Sequence, residues 1–198
     1  MEGFYMSRFQ EYKDLTLAPI LHLLSRLKVS PTAISASSAF IATAGLIVSI
    51  AANNPFFFIF SIWLHAILDG IDGPLARLTK QATTRGALVD VIADYVGIIA
   101  ACIYMATFTT TTALNAYLLA TLYAAVLIIA LLRSYNGYPY ALLIRPRFIL
   151  YAAIVIDAVW LTNLTAPTVA IGIGLLIVSC LSGALSFLQH RLKFLQKG

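Results

Sequence analysis

Charge is scarce in this sequence. Lys, Arg, Asp and Glu make up 11% of its 198 residues, against about 25% in an ordinary soluble domain. A water-facing surface cannot be assembled from so few, which excludes a soluble globular protein. Cysteine is scarcer still. Cys102 and Cys180 each stand inside an apolar run with no ligand-like spacing. That pattern argues against a disulfide or a thiolate metal clip and leaves two small packing residues. The opening MEGFYMSRFQEYKD lacks the charged, then apolar, then small-residue order of a cleaved signal peptide. No internal repeat and no low-complexity tract is visible.

What the chain has instead is hydrocarbon: 61% hydrophobic residues and a mean hydropathy of +0.90. A bilayer core needs about 20 apolar residues per crossing helix. Six segments approach that length: 34–52, 56–76, 87–108, 113–132, 148–161 and 169–188. The fifth is short and is expected to extend into its flanks or tilt. The breaks AANNP, TFTTTT, SYNGYPYALLIRPR and LTNLTAP are loop-like in their Asn, Thr, Gly and Pro content. Before the first span, Phe4, Phe9, Leu17, Ile20, Leu21, Leu24 and Leu27 recur at near-helical spacing among charged residues. The expected fold is all-α. Residues 1–30 form an amphipathic interfacial helix, kinked or split at Pro19, and residues 31–198 form a bundle of six transmembrane helices.

The cations give the bundle an orientation. All thirteen Lys and Arg residues fall in the N-terminal segment, the breaks after spans two and four, and the C-terminus. The other three breaks hold none. With six spans, the two groups of breaks lie on opposite faces, and the positive-inside rule puts both termini and the basic loops in the cytoplasm. The net charge of +5 is therefore read as a membrane-surface feature, with no nucleic-acid partner expected.

The acids are gathered as tightly as the cations. Four of the eight carboxylates, Asp69, Asp72, Asp90 and Asp94, lie in DGIDGPLARLTKQATTRGALVDVIAD. Asp69 and Asp72 share a face of the second span; Asp90 and Asp94 share a face of the third. A short loop between the two helices can aim all four at one point. Such a cluster resists ionising together, so protonation, pairing with cations, or divalent ions among the carboxylates are the possible resolutions. All-carboxylate donors suit Mg²⁺ or Mn²⁺, and a two-ion clamp serves in-line displacement at phosphorus. Gly70, Gly73, Ala76 and Gly86 leave room for a close ligand. Arg77 is four residues after Gly73, on the same face, and offers a donor fork for phosphate. Pro74, inside the same stretch, is expected to bend the helix just past the ligands.

Written out, the stretch is D-x2-D-G-x2-A-R-x8-G-x3-D-x3-D, filled without a gap. It resembles the signature of the CDP-alcohol phosphotransferase family. The resemblance implies an enzyme that cleaves the pyrophosphate of a CDP-alcohol, releases CMP and joins the phosphoryl-alcohol to a second hydroxyl. It implies that Asp69, Asp72 and Asp90 hold one metal ion and Asp69, Asp90 and Asp94 the other, with Asp94 also the general base. Gly73, Arg77, Thr83 and Gly86 would contact the cytidine diphosphate. A family Pro-Asn pair at the start of the first span reads SPTAIS here, so Thr32 stands for Asn, and Thr32 and Ser35 are carried over as nucleotide contacts. The resemblance also implies a CDP-diacylglycerol-like donor, a homodimer, and a site open to the cytoplasm, in a bacterial or archaeal plasma membrane rather than an organelle.

The acceptor is the open end of this reading. Arg133, Arg145 and Arg147 would face the same cytoplasmic mouth. They suit the phosphate of glycerol 3-phosphate or inositol phosphate, or serve only to hold orientation. His65, four residues before Asp69, either backs a metal ligand or packs as a buried histidine. Asp157 has no assigned role. Three rival functions are weighed: joining CDP-choline or CDP-ethanolamine to diacylglycerol, Mg²⁺-dependent prenyl transfer, and cation transport. Prenyltransferase motifs lack the Gly-x2-Ala-Arg register, and a cation transporter leaves Arg77 unexplained.

Overall fold

A computed structural model of the chain describes residues 16–136, 146–160 and 162–195. Among the described residues all regular structure is helical: α1 (16–26), α2 (Pro31–Ala51), α3 (Phe56–Leu78), α4 (Thr84–Phe108), α5 (Ala113–Tyr135), α6 (Arg147–Trp160) and α7 (Thr165–Leu195).

Local chemistry accounts for the boundaries. Pro31 opens α2, where its fixed φ suits a helix and its missing N–H is not needed. Thr83 caps α4, its hydroxyl accepting from the Gly86 amide at 3.0 Å. Helices α1, α2 and α3 end on Lys28, Asn53 and Lys80 with φ of 54°, 48° and 54°. Each is followed by a six-to-one closing bond: Val29 N to Leu24 O at 3.0 Å, Asn54 N to Ser49 O at 2.9 Å and Gln81 N to Ala76 O at 2.9 Å. These are Schellman turns built without glycine.

Five helices, α2, α3, α4, α5 and α7, are long and apolar enough to cross a bilayer, as in a multi-pass membrane protein. The sixth expected span falls short. At 1.5 Å per residue, the 14 residues of α6 reach about 21 Å, against about 30 Å of hydrocarbon. The reason lies in where α6 begins. Its first residue, Arg147, already touches Asp69 of α3, well inside that helix. Its other end reaches the far side of the bundle, where Asp157 and Ala158 share a cavity of about 310 Å³ with Pro55 and Phe108, where α3 begins and α4 ends.

Helix α2 packs along α3 and α4, α5 along α7 and α4, and α6 against α7, α3 and α4. Where lipid replaces water, helices associate through close van der Waals contact rather than through hydrophobic transfer, and small residues allow that contact. Ala42, Ala93, Ala100 and Ala101 are buried accordingly. Gly45 meets Ser61 so closely that a Cβ on Gly45 would overlap the serine side chain. Phe58 stacks on Tyr104 at 4.6 Å, and Tyr123, Leu119, Ile154 and Leu176 complete the centre. Phe60, Leu114 and Ile171 point outward and exposed.

Along α1, Leu17, Leu21 and Leu24 pack on Ile34, Ile71 and Leu75, while Ile20, Leu23 and Leu27 are turned outward. The helix runs through Pro19, where the sequence predicted a kink or a split. Phe4 and Phe9, on which the amphipathic pattern also rests, lie outside the described residues.

Candidate active site

The last turns of α3 and the first turns of α4 face one another across the short link 79–83. A carboxylate oxygen from each of Asp69, Asp72 and Asp90 lies within 4.8 Å of the others. Asp72 is the most buried of the three and is tied at both oxygens. Ser35 of α2 donates to Oδ2 at 2.5 Å, and the Gly73 amide donates to Oδ1 at 2.6 Å. α3 continues to Leu78 with Pro74 inside it.

Asp94 is buried one turn further along α4, and its partner is Arg147, the first residue of α6. The same guanidinium grips Asp69, with Nη2 to Oδ2 at 2.8 Å and Nη1 to Oδ1 at 3.4 Å. Arg147 therefore bridges the carboxylates of two helices from a third. Its Cζ sits 4.8 Å from the centroid of the Phe148 ring, a cation–π contact.

Beside the triad opens a cavity of about 510 Å³. Its walls are the N-terminus of α2 (Pro31, Thr32, Ser35), the N-terminus of α4 (Thr83, Thr84, Gly86, Ala87) and the end of α3 (Gly73, Ala76, Arg77), with Asp72 and Asp90 on its inner side. Helix N-termini present unpaired N–H groups and the positive end of the dipole, so two of them on one cavity suit an anion. Arg77 adds a fixed charge, its Nη1 lying 3.7 Å from the point a Gly73 Cβ would occupy. At Gly86 a Cβ would come within 3.2 Å of the Thr83 hydroxyl and 3.7 Å of the Thr32 hydroxyl, so glycine keeps the wall open there. Three hard oxygen donors at this separation fit Mg²⁺ or Mn²⁺.

The structure thus gathers Thr32, Ser35, Gly73, Arg77, Thr83 and Gly86 on one cavity, beside Asp69, Asp72 and Asp90. Two of these residues carry a local task besides: Ser35 holds Asp72, and Thr83 caps α4. Arg133 and Arg147 are separated. Arg147 lies among the carboxylates. Arg133 is buried in the α5–α7 contact, where its Nη1 donates to the Gly183 carbonyl at 3.2 Å. Arg145 lies outside the described residues.

Two relationships were not visible in the sequence. One is the bridge from Arg147 to Asp69 and Asp94, since nothing local singles out one arginine of the RPR sequence. The other is a layer one helical turn deeper. There His65 and Tyr151, both buried, close on Gly97. A Cβ on Gly97 would overlap the His65 ring and stand 2.9 Å from the Tyr151 hydroxyl. The offsets i+4 from His65 to Asp69, i−4 from Tyr151 to Arg147 and i−3 from Gly97 to Asp94 were the available signal. The three helices that meet at the charged layer meet again at this one.

No curated protein sequence matches the chain. Solved structures do. Phosphatidylinositol phosphate synthase of Mycobacterium tuberculosis with CDP-DAG bound superposes with a TM-score of 0.65 at 18% identity, covering 86% of this chain and 90% of that one. The same synthase in complex with manganese and citrate gives 0.65 at 18% identity, covering 86% of each chain. Its apo form gives 0.62 at 17%, covering 86% and 93%. At these identities the likeness establishes a shared fold. The family model described as CDP-alcohol phosphatidyltransferase matches residues 28–194, and this chain, with three carboxylates of its gapless acidic signature drawn to one point, belongs to that family of transferases.

Proposed function

We propose that the chain is a membrane phosphatidyltransferase of phospholipid synthesis. It takes CDP-diacylglycerol or a similar CDP-lipid as donor and passes the phosphatidyl group to a small polar alcohol, such as glycerol 3-phosphate or inositol phosphate. The observation that carries this reading is the convergence of Asp69, Asp72 and Asp90 beside an anion-suited cavity walled by two helix N-termini. The solved synthase with CDP-DAG in one structure and manganese in another supports the donor class and a divalent ion.

Thr32, Gly73, Arg77, Thr83 and Gly86 bind the cytidine diphosphate, with Arg77 and the amides of the α4 N-terminus on its phosphates. Asp69, Asp72, Asp90 and Asp94 are the residues to hold two Mg²⁺ or Mn²⁺ ions. Bound there, the ions supply charge neutralisation for the pyrophosphate and for the departing phosphate oxygen. Asp94 takes the proton from the acceptor hydroxyl. The acceptor oxygen then bonds to the lipid-side phosphorus, the bond from that phosphorus to the bridging oxygen breaks, and CMP leaves with that oxygen. Arg147, beside the carboxylates, is the arginine to meet the phosphate of a phosphorylated acceptor.

The domain reading is one catalytic bundle, residues 31–198, preceded by an interfacial helix. The outward apolar face of α1 supports the latter. We take α6 as the sixth crossing, entering at the depth of the carboxylates, with both termini and the site in the cytoplasm and the chain working as a homodimer.

The test is release of CMP from CDP-diacylglycerol by purified protein with Mg²⁺ or Mn²⁺ and a panel of alcohols. CDP-choline and CDP-ethanolamine with diacylglycerol form a parallel arm. Asp94→Asn is expected to lower turnover by about 100-fold or more while donor binding survives in part. A near-normal rate in that variant would overturn the assignment of the base.

A further inference from the structure

The mechanism above leaves one contact unused. Asp94 has to be free to accept a proton, yet its carboxylate is taken by Arg147. The same arginine occupies both oxygens of Asp69, and Asp69 is also a member of the triad. A single carboxylate is thus claimed from two sides, by a guanidinium and by the donor set for a divalent cation. Cations on both sides of it would repel each other at close range in a poorly screened site.

Three features show that Arg147 is placed for this pair of carboxylates and held loosely enough to leave. It stands at the N-terminus of α6, where the helix dipole disfavours a positive charge, so the helix itself gives no reason for a cation there. Its Nε is buried without a hydrogen-bond partner among the described residues, so the pose is incompletely satisfied there. The layer of His65, Gly97 and Tyr151 blocks movement deeper into the bundle, whereas the Phe148 ring under the guanidinium is exposed and marks an outward route.

We propose that Arg147 is an exchangeable counter-cation: it locks Asp69 and Asp94 together when no divalent ion is bound and yields them when one binds. Without metal, the latch neutralises a cluster that would otherwise repel itself. Once the ion is in place, Asp94 is released for proton transfer. The inference rests on the reading of the triad as a divalent-ion centre. Its readouts need no donor or acceptor, so a failure to release CMP would count against the proposed reaction and leave this inference standing.

The experiment uses the full chain, stripped with EDTA and titrated with Mn²⁺ alone. Arg147→Gln is expected to bind Mn²⁺ about tenfold more tightly than the parent chain, because the competing conformer is gone. Its thermal midpoint should fall below the parent's in EDTA and meet it at saturating Mn²⁺. A residue that is a permanent structural partner of Asp69 and Asp94 would leave the deficit in place with metal present. The second measurement needs no variant. Phenylglyoxal labelling of Arg147 in the parent chain, read by peptide mass spectrometry, should rise on adding Mn²⁺. Unchanged or weaker Mn²⁺ binding in Arg147→Gln, a stability deficit that persists at saturation, or labelling that fails to rise would each overturn the proposal.

Discussion

The hydroxyl of Ser35 and the amide of Gly73 divide the two oxygens of Asp72 between them. That fixes the carboxylate's rotation and leaves its remaining lone pairs for a cation. Donors that orient a metal ligand carry much of a site's affinity. Ser35→Ala is therefore expected to raise the Mn²⁺ concentration for half-maximal CMP release about tenfold, with a smaller change in the donor KM, measured by metal titration at saturating CDP-lipid. Glycines divide at the same scale. A methyl on Gly97 would overlap His65 and crowd Tyr151, whereas one on Gly174 meets nothing within 4 Å. Gly97→Ala should cost about 1–3 kcal/mol through overpacking. Gly174→Ala should be neutral or stabilise by up to about 1 kcal/mol, since alanine is the better helix former. Thermal unfolding in detergent checks both. Arg77 and Gly86 were expected beside the acids from their spacing and Thr83 from the family resemblance, and all three line the same cavity. The second tasks of Ser35 and Thr83 were not, because hydroxyl partners depend on what packs opposite.

At the scale of the element, Asp157 is the clearest gain. Its sequence context assigned it no role. In the structure it spans the α6–α7 corner, accepting from the Thr162 hydroxyl at 2.8 Å, from the Leu164 amide, and from the Thr165 amide and hydroxyl at 2.8 and 2.6 Å. It thus satisfies donors at the α7 N-terminus from the preceding helix, a capping task done at a distance. Asp157→Ala should lose about 2 kcal/mol while CMP release at low temperature persists, which thermal melts and activity on the same preparation would separate. Helix positions themselves were legible. The predicted segments fall inside or overlap α2 through α7, because apolar length is a strong signal. The ends were not, since α1 and α3 stop on lysines in a left-handed conformation where a glycine would have announced the turn.

At the scale of the whole molecule, the cations predict a sidedness. Cysteines placed at Gln81 and at Thr110 should label with an impermeant maleimide from opposite faces of sealed vesicles, with Gln81 on the cytoplasmic face. Labelling of both from one face would overturn the six-span topology. α6 is decisive here. By length alone it does not qualify as a span, yet its first residue reaches the carboxylates and its far end reaches the cavity beside Pro55 and Phe108. The bundle also explains how a chain with so few charges tolerates four acids together: α3 and α4 supply two each, and Arg147 from α6 offsets Asp69 and Asp94.

The sequence alone determined that the chain is helical and apolar enough for a membrane and that its acids stand close on two neighbouring helices, and it predicted a sidedness for the loops, because apolar run length, i+3 or i+4 spacing and cation placement are local quantities. Only the tertiary structure decided that Arg147 reaches Asp69 and Asp94, that Ser35 serves Asp72, that Arg133 belongs to the α5–α7 contact, and that His65, Gly97 and Tyr151 floor the site. The physical reason is that each of these depends on the register between helices distant in sequence. Interlocking side chains of a few small residues set that register, and no local pattern records it.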